Sequence, residues 1–107
     1  DNFIMPFGVM GGQYQANGHA RLISNIINYG MDIQTAIDFP RSFPENGCLK
    51  LEEGYSDTIA SELESKGHKI LRPNQPIGGS QAIMYDLKKD ILIGGSDPRK
   101  DGCALGY

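Results

Sequence analysis

Apolar residues recur at helical spacing near the start of the chain. Between Gln13 and Tyr29 they stand three or four positions apart, and together they form a single stripe: Ala16, Ala20, Ile23 and Ile27, widened by Leu22 and Ile26. Such spacing is typical of an amphipathic helix. Gly30 follows the last periodic residue as a left-handed cap. The sequence therefore predicts a first helix over residues 13–29 whose apolar stripe faces a core.

Two shorter helices are predicted farther along the chain. Asp32 offers an N-cap oxygen to a second helix, which Pro40 closes because the residue before a proline avoids the helical region. The apolar positions of that helix are Ile33, Ala36 and Ile37. Ser56 caps a third helix, which ends at Gly67.

The region between the second and third helices predicts a loop and then a strand. Residues 41–47 contain Pro44, Asn46 and Gly47, which are typical of a loop. Residues 48–52 place two leucines two positions apart, as a half-exposed strand does. After the third helix, residues 68–71 begin an extended segment.

The last part of the chain predicts a hairpin. Residues 81–85 and 91–93 are apolar runs on either side of a charged turn over 86–90, and we expect both faces of this hairpin to be largely covered. Residues 94–107 are too broken by glycine and proline for long regular structure. Two or three strands still leave edges without partners, so we expect strands from an upstream segment and possible self-association through exposed strand edges.

Because helices precede strands without strict alternation, the predicted fold class is α+β in layers. A chain of 107 residues is long enough for one compact domain, and 39% hydrophobic against 21% charged residues indicates a folded protein. A formal charge of −3 argues against a nucleic-acid partner, and no apolar run approaches the roughly 20 residues of a membrane helix. Cys48 and Cys103 lack the close spacing of a metal or redox motif and are expected to be small buried thiols, with one long-range disulfide as the alternative.

The strongest chemical signal is the pair Gly11-Gly12 directly before the first helix. Two glycines let backbone approach a ligand, and their N–H groups lie near a helix N-terminus that favours negative charge. An oxyanion hole for acyl transfer needs this geometry. The alternative is a tight turn without chemistry, which is the commoner reason for a glycine pair before a helix.

Other polar candidates are expected to be structural. Neither His19 nor His68 has a serine or cysteine nucleophile beside it in the sequence. Asp97 is expected to cap backbone groups in a turn, with Arg99 tying down the C-terminal tail and Arg41 anchoring a loop. No cofactor and no metal is expected.

Several motifs, taken in order, resemble the C-terminal third of the small subunit of gamma-glutamyltranspeptidases. The resemblance spans essentially the whole chain. The motifs are Phe7-Gly8-Val9-Met10-Gly11-Gly12, Asn28-Tyr29-Gly30-Met31-Asp32, Ala36-Ile37-Asp38-Phe39-Pro40-Arg41, Gly79-Ser80-Gln81-Ala82-Ile83, Gly95-Ser96-Asp97-Pro98-Arg99 and Gly106-Tyr107.

The resemblance implies a fragment, residues 1–107, of an N-terminal nucleophile hydrolase with an αββα sandwich. Such enzymes cleave themselves into a large and a small subunit, and a threonine at the start of the small subunit attacks gamma-glutamyl amides such as glutathione. Gly11 and Gly12 match the glycine pair whose backbone N–H groups bind the oxyanion. The implied partners are the large subunit, the N-terminal part of the small subunit and the gamma-glutamyl substrate.

The chain also departs from the family pattern. Neither Thr35 nor Thr58 lies in the nucleophile motif, so we expect the nucleophile upstream and no activity from this piece alone. Gln13 stands where well-studied members carry serine, which indicates a branch acting on other gamma-glutamyl amides or on acylated antibiotics such as cephalosporins. The rival interpretation is a non-catalytic interaction module that reuses this α+β unit. The compartment, cytoplasmic or periplasmic/secreted, depends on sequence upstream.

Overall fold

A computed structural model describes residues 2–107 of the chain. The elements in chain order are β1 (Phe3–Ile4), β2 (Phe7–Met10), a 3-10 turn (Gly12–Tyr14), α1 (Gln15–Ile27), α2 (Ile33–Asp38), β3 (Ser42–Glu45), β4 (Cys48–Leu51), α3 (Asp57–Ser65), β5 (Ile70–Leu71), β6 (Gly79–Asp86) and β7 (Ile91–Ser96). The mixture of helices and largely antiparallel sheets confirms the α+β prediction.

These elements group into two compact units. The first comprises the chain up to Asp38 together with Gly78–Tyr107, and the second comprises Phe39–Ile77. The prediction that residues 1–107 form a single family fragment stays a prediction.

The first unit is built on a four-stranded sheet around β6. β1 and β2 follow one another along one side of β6, and β7 lies along the other side, all three antiparallel to it. Met10 of β2 is paired with Gly79 of β6. The predicted hairpin is therefore confirmed, although its strands are longer than expected, and the sequence pattern did not reveal β1 and β2.

The two helices of the first unit lie on one face of this sheet, where α1 packs against β2 and α2 packs against β6 and β7. The core is a cluster of buried apolar side chains: Leu22, Ile33, Ala36, Ile37 and Ala82. Both predicted helix boundaries are supported by local geometry. Gly30 has a φ of 66°, and the Thr35 N–H donates to Asp32 Oδ1 over 2.9 Å as an N-cap bond.

The predicted buried stripe of α1 is confirmed only in part, since Leu22 is buried and Ile26 packs against the core. The remaining stripe positions are exposed: Ala16, Ala20, Ile23 and Ile27. The residues of α1 that are buried are Gly18, Leu22 and Asn25, whereas Ile27 is 60% exposed. The buried face is rotated because Gly18 allows α1 to approach β2 closely and because Asn25 is hydrogen-bonded, its Nδ2 donating to the Ala36 carbonyl over 3.3 Å. Neither residue contributes an apolar signal to the sequence pattern.

The second face of the sheet is only partly covered. The tail after Arg99 crosses it, with Lys100 against Gly79, Gly102 against Gln81 and Ser96, and Ala104 against Gly94. Farther along the hairpin, Ile83 and Leu92 are 52% and 68% exposed. The prediction of a hairpin covered on both faces is therefore wrong for this chain, because within residues 2–107 only the short tail reaches this face.

The second unit has a three-stranded sheet in which β4 pairs antiparallel with β3 and parallel with β5. The loop predicted over residues 41–47 is wrong, since Ser42–Glu45 form β3 and only Asn46 and Gly47 make the turn, both with positive φ. Pro44 fits because β3 is an edge strand of this sheet, where a missing N–H is tolerated.

The two ends of the second unit are held together by Glu52. Its carboxylate accepts hydrogen bonds from the backbone N–H groups of Arg41 and Ile77, at 2.9 and 3.0 Å. The buried Arg41 guanidinium also donates to the Ile77 carbonyl over 2.8 Å, which confirms its predicted role as a loop anchor. The cap of α3 is confirmed too, since Ser56 Oγ accepts from the Ile59 N–H.

Both cysteines are free thiols. Cys48 is partly buried in the second unit, and Cys103 is exposed on the tail. The expectation of two buried thiols is therefore wrong, because Cys103 lies in a tail with little around it.

Candidate functional site

The glycine pair lies where β2 ends and the 3-10 turn begins. Gly11 has a φ of 143° and Gly12 a φ of 58°, both in the left-handed region that favours glycine. The turn is closed by a hydrogen bond from the Tyr14 N–H to the Gly11 carbonyl, at 3.1 Å. A residue with a side chain at either position would strain this backbone, which explains why two glycines stand here.

The register of the sheet fixes the direction of the Gly11 amide. Asn2 and Pro6 accept hydrogen bonds from Leu87 and Ile83, so the even-numbered residues of this edge direct their backbone groups toward β6. Backbone groups alternate in direction along an antiparallel strand. Gly11 directly follows β2, and its N–H lies in the same peptide plane as the Met10 carbonyl but points the opposite way. The Gly11 N–H is therefore directed away from β6 and toward the open edge of the sheet.

The described residues leave both amides of the pair unused. Across residues 2–107, no backbone or side-chain acceptor takes a hydrogen bond from the N–H of Gly11 or Gly12. Both donors lie at the entrance to the 3-10 turn and α1, where the first N–H groups of a helix have no intrahelical partner. Two unused donors and a positive helix end make a place for a negatively charged oxygen.

The buried ring of Tyr14 packs against Gly11 of the pair. It is surrounded by three glycines, Gly11, Gly18 and Gly78, which we call the tyrosine seat. A Cβ on Gly18 would lie 2.7 Å from Tyr14 Cε1, and one on Gly78 would lie 2.7 Å from Tyr14 Cδ1. Tyr14 is 3% exposed. Because any side chain in the seat would displace this buried ring, the seat positions Gly11 through close packing.

A buried polar cluster holds the neighbouring ends of β6 and β7. Asp97 is fully buried, and its carboxylate accepts hydrogen bonds from the backbone N–H groups of Ser80 and Arg99, at 2.7 and 2.9 Å. Arg99 Nη1 pairs with Asp97 Oδ1 and also donates to the Ile37 carbonyl over 3.0 Å. Asp97 thus caps backbone groups as predicted. Arg99 ties the beginning of the C-terminal tail to the end of α2, as predicted.

The other predicted candidates lie elsewhere or act structurally. His19 Nδ1 donates to the Gln15 carbonyl over 2.7 Å, and its ring packs at 5.4 Å from Phe7. His68 belongs to the second unit and borders an open groove with Cys48 and Lys69. Thr35 is bonded to the Asp32 carboxylate. None of these side chains is brought to the glycine pair by a contact recorded within residues 2–107.

The structure adds two residues that the sequence pattern did not single out. Tyr14 is one, because its partners Gly11, Gly18 and Gly78 come from separate parts of the chain. Lys100 is the other, since its stem lies over Gly79 next to the end of β2. The described residues contain no cluster of three or more His, Cys, Asp or Glu side chains able to hold a metal ion. They also include no helix with the length and apolar character that a bilayer crossing requires.

Comparison with known proteins places the chain in a family. The sequence profile of the family described as Gamma-glutamyltranspeptidase matches residues 1–107. The chain is 36% identical over 80 residues to the acylase ACY 1 proenzyme of Pseudomonas sp. (strain V22), covering 75% of this chain and 14% of that protein. It is 31% identical to the glutathione hydrolase-like YwrD proenzyme of Bacillus subtilis (strain 168), covering 94% of this chain and 21% of that protein.

A solved structure of an acylase is similar to the chain in both sequence and fold. The cephalosporin acylase from Bacillus halodurans superimposes with a TM-score of 0.83 at 36% identity, covering 95% of this chain and 20% of that chain. The chain thus spans about a fifth or less of these relatives. The match confirms the predicted fold class, since the two units represent a fragment of the N-terminal nucleophile hydrolase fold of such enzymes. The chain belongs to the gamma-glutamyltranspeptidase family of autoprocessing transferases and hydrolases.

Proposed function

We propose that this chain supplies the oxyanion-binding backbone of an enzyme that cleaves gamma-glutamyl amides such as glutathione. The observation that carries the proposal is the pair of unused amides at Gly11 and Gly12, which lie at the entrance to α1 beside the tyrosine seat. The family match over residues 1–107 supports it, as does the similarity to a glutathione hydrolase-like relative.

The proposed chemistry is acyl transfer through a covalent intermediate. The hydroxyl oxygen of a threonine, supplied by the remainder of the enzyme, adds to the amide carbonyl and passes its proton to a base. The carbonyl oxygen then carries the negative charge, and the N–H groups of Gly11 and Gly12 donate to it. The C–N bond breaks as the leaving amine takes the proton. Water or an amino-acid acceptor next attacks the acyl-enzyme, and the same two donors bind the second oxyanion.

A second candidate is an acylase that acts on cephalosporins. Two observations favour it: the 36% identity to the acylase ACY 1 proenzyme and the 36% identity to the cephalosporin acylase structure. Gln13, directly after the glycine pair, is the position at which this chain departs from the serine of well-studied members. The two candidates share the oxyanion chemistry and differ in the acyl group that they accept.

Activity of the complete coding sequence that contains this region tests the proposal. Purified enzyme is assayed for nitroaniline release from gamma-glutamyl-p-nitroanilide and, in parallel, for hydrolysis of an acylated cephalosporin. Turnover of the nitroanilide supports the gamma-glutamyl assignment. Turnover of the cephalosporin alone replaces it with the acylase assignment, and the absence of both activities from folded enzyme refutes both.

The role of the glycine pair is tested by Gly11→Ala with Gly8→Ala as its control. A Cβ on Gly11 would lie 3.0 Å from Gly78 Cα in a backbone with φ of 143°, so the amide must move. Misplacing one oxyanion donor lowers kcat by about 100-fold or more. Gly8 has ordinary φ and no atom within 4 Å of the added methyl group, so Gly8→Ala is expected to retain kcat within about twofold. Equal kcat values for both variants would show that the pair takes no part in the reaction.

A further inference from the structure

The residue directly before the glycine pair is Met10, whose side chain stands on the second face of the first sheet. Side chains alternate between the two faces of a sheet along each strand. Val9 faces α1, because a Cβ on Gly18 would lie 2.5 Å from Val9 Cγ1, so Met10 faces the opposite way. Met10 is 43% exposed. An exposed apolar side chain therefore lies next to the two unused amides.

The main chain of Met10 is held in place by its neighbours. Met10 is paired with Gly79 at the end of β2. Its carbonyl oxygen is closely packed as well, since a Cβ on Gly78 would lie 2.6 Å from that oxygen. The point from which the side chain starts is therefore fixed, whereas the flexible thioether chain of methionine can adapt its shape to a bound group.

The space beside the Met10 side chain is filled toward β6 and open toward the outer edge of β2. On the β6 side the stem of Lys100 covers Gly79, such that a Cβ on that glycine would lie 2.6 and 2.7 Å from Lys100 Cγ and Cε. On the other side β2 has no further partner strand within residues 2–107. The Gly11 N–H is directed toward this same edge. Met10 and the Gly11 amide therefore border one open space.

The distances allow Met10 to contact the group attached to a carbonyl bound at the pair. The Met10 Cα and the Gly11 nitrogen are two bonds apart, about 2.4 Å. A carbonyl oxygen that accepts from this N–H lies about 2.9 Å from the nitrogen, and so within about 5 Å of the Met10 Cα. A methionine side chain is itself about 5 Å long, and apolar atoms make contact at about 4 Å. The thioether therefore reaches the atoms on either side of that carbonyl.

We infer that Met10 is a specificity-determining residue that packs against an apolar group next to the scissile amide. The inference rests on the proposed function, which places the carbonyl oxygen at Gly11 and Gly12, and it adds the chemistry of the group beside that carbonyl. This group is either the methylene chain of the acyl part or an apolar ring of the leaving amine. Both present the same apolar surface to the thioether.

The test compares Met10→Gln with wild type in the complete enzyme, because glutamine keeps the length of the side chain and makes its end polar. KM and kcat are measured for gamma-glutamyl-p-nitroanilide, whose leaving amine is aromatic, and for gamma-glutamylglycine, whose leaving amine is small and polar. A KM about fivefold or more higher for the nitroanilide alone assigns Met10 to the leaving amine. An equal rise for both substrates assigns Met10 to the methylene chain of the acyl part.

Two control variants separate substrate contact from a structural effect. Met10→Leu keeps the side chain apolar and is expected to retain KM within about twofold. Ile27→Gln makes the same change of polarity at a 60% exposed residue, about 18 Å along α1 from its first residue, and is expected to leave both KM values unchanged. Unchanged KM values in Met10→Gln, with or without a lower kcat, would overturn the inference, and so would a rise for gamma-glutamylglycine alone.

Failure of the proposed function is distinguished by a measurement that needs no turnover. If wild-type enzyme turns over neither gamma-glutamyl substrate, NMR spectra are recorded with isotope-labelled methionine methyl groups, and the Met10 signal is assigned with Met10→Leu. The enzyme is titrated with p-nitroaniline, with glutamate and with an acylated cephalosporin. A shift of the Met10 signal by any of these, with Met5, Met31 and Met84 against the core unchanged, supports the contact while the proposed function fails. An unshifted Met10 signal in all three titrations overturns both.

Discussion

Gly18→Ala tests how closely α1 approaches β2. In an isolated helix this change stabilises, because alanine is about 1 kcal/mol more favourable than glycine in a helix interior. Here the added Cβ would lie 2.5 Å from Val9 Cγ1 and 2.7 Å from Tyr14 Cε1. Real Cβ atoms do not approach other atoms this closely, so something must shift.

The neighbours of Gly18 cannot move aside easily. Val9 is 7% and Tyr14 is 3% exposed, so neither side chain can rotate into solvent. Overpacking of this kind costs about 1–3 kcal/mol, and two contacts with buried side chains indicate the upper part of that range. After subtracting the helix-propensity gain, we expect Gly18→Ala to destabilise the protein by about 2 kcal/mol.

Thermal and urea unfolding of the purified complete protein measure this effect, with Asn17→Ala as the matched control. Asn17 is an exposed neighbour in α1, so its replacement is expected to be neutral or slightly stabilising. Because Tyr14 also packs on Gly11 in the tyrosine seat, Gly18→Ala should lower kcat as well as stability. If Gly18→Ala stabilised the protein as much as Asn17→Ala does, the close approach of α1 to β2 would be refuted.

Two further predictions concern polar groups of the first unit. Arg99→Met leaves the fully buried Asp97 carboxylate without its guanidinium partner and is expected to lower the unfolding free energy by about 3 kcal/mol. The control, Lys89→Met at a surface ion pair, should lower it by less than about 0.5 kcal/mol. Equal urea midpoints for the two variants would contradict this prediction. Hydrogen bonds from the Thr35 side chain and the Thr35 N–H lower the pKa of the Asp32 carboxyl below its ordinary value of 3.8 in the folded state. Asp32 therefore stabilises the fold fully above pH 3.8, and this stabilisation is lost as the pH falls through the folded-state pKa. Melting temperatures measured from pH 6 to pH 2 should therefore fall less in Asp32→Asn than in wild type, and parallel curves would contradict this.

Helix ends were predictable from the sequence because their signals are local. Asp32, Ser56, Gly30 and Gly67 each determine a cap through their own backbone or side-chain chemistry. These caps are found where they were expected. Local chemistry of this kind does not depend on what the helix packs against.

Burial and short strands depend on distant partners and were less predictable. The core-facing side of α1 includes Gly18 and Asn25, a residue without a side chain and a polar residue, beside Leu22. Counting apolar positions therefore finds Leu22 and misses the other two. β3 contains a proline, which in sequence indicates a loop and is tolerated only because the strand lies at an edge. The buried face of α1 and the strand β3 both depend on contacts between distant segments. The spacing of residues within one segment carries no information about those contacts.

The candidate site shows the same division. A glycine pair before a helix indicates an anion-binding turn, and this local signal identified Gly11 and Gly12. The tyrosine seat and the position of Lys100 depend on Gly78 and Gly79, far along the chain, being paired with the end of β2. The two glycines are therefore apparent from the sequence, whereas the groups packed around them become apparent only in the fold.

The two outer edges of the first sheet differ in whether a side chain blocks them, and the unblocked edge is the one beside the glycine pair. On β7, the outward backbone groups of Ser96 are both taken by the Gln34 side chain, whose Oε1 accepts from the N–H at 3.1 Å and whose Nε2 donates to the carbonyl at 2.8 Å. A side chain that occupies an edge in this way blocks the addition of another strand at that end. The opposite edge, along β2, has no such cap recorded in residues 2–107, and the Gly11 amide points outward from it. A strand from the remainder of the enzyme that pairs with this edge would therefore pass next to the glycine pair, which is where a nucleophile must lie if the pair binds the oxyanion.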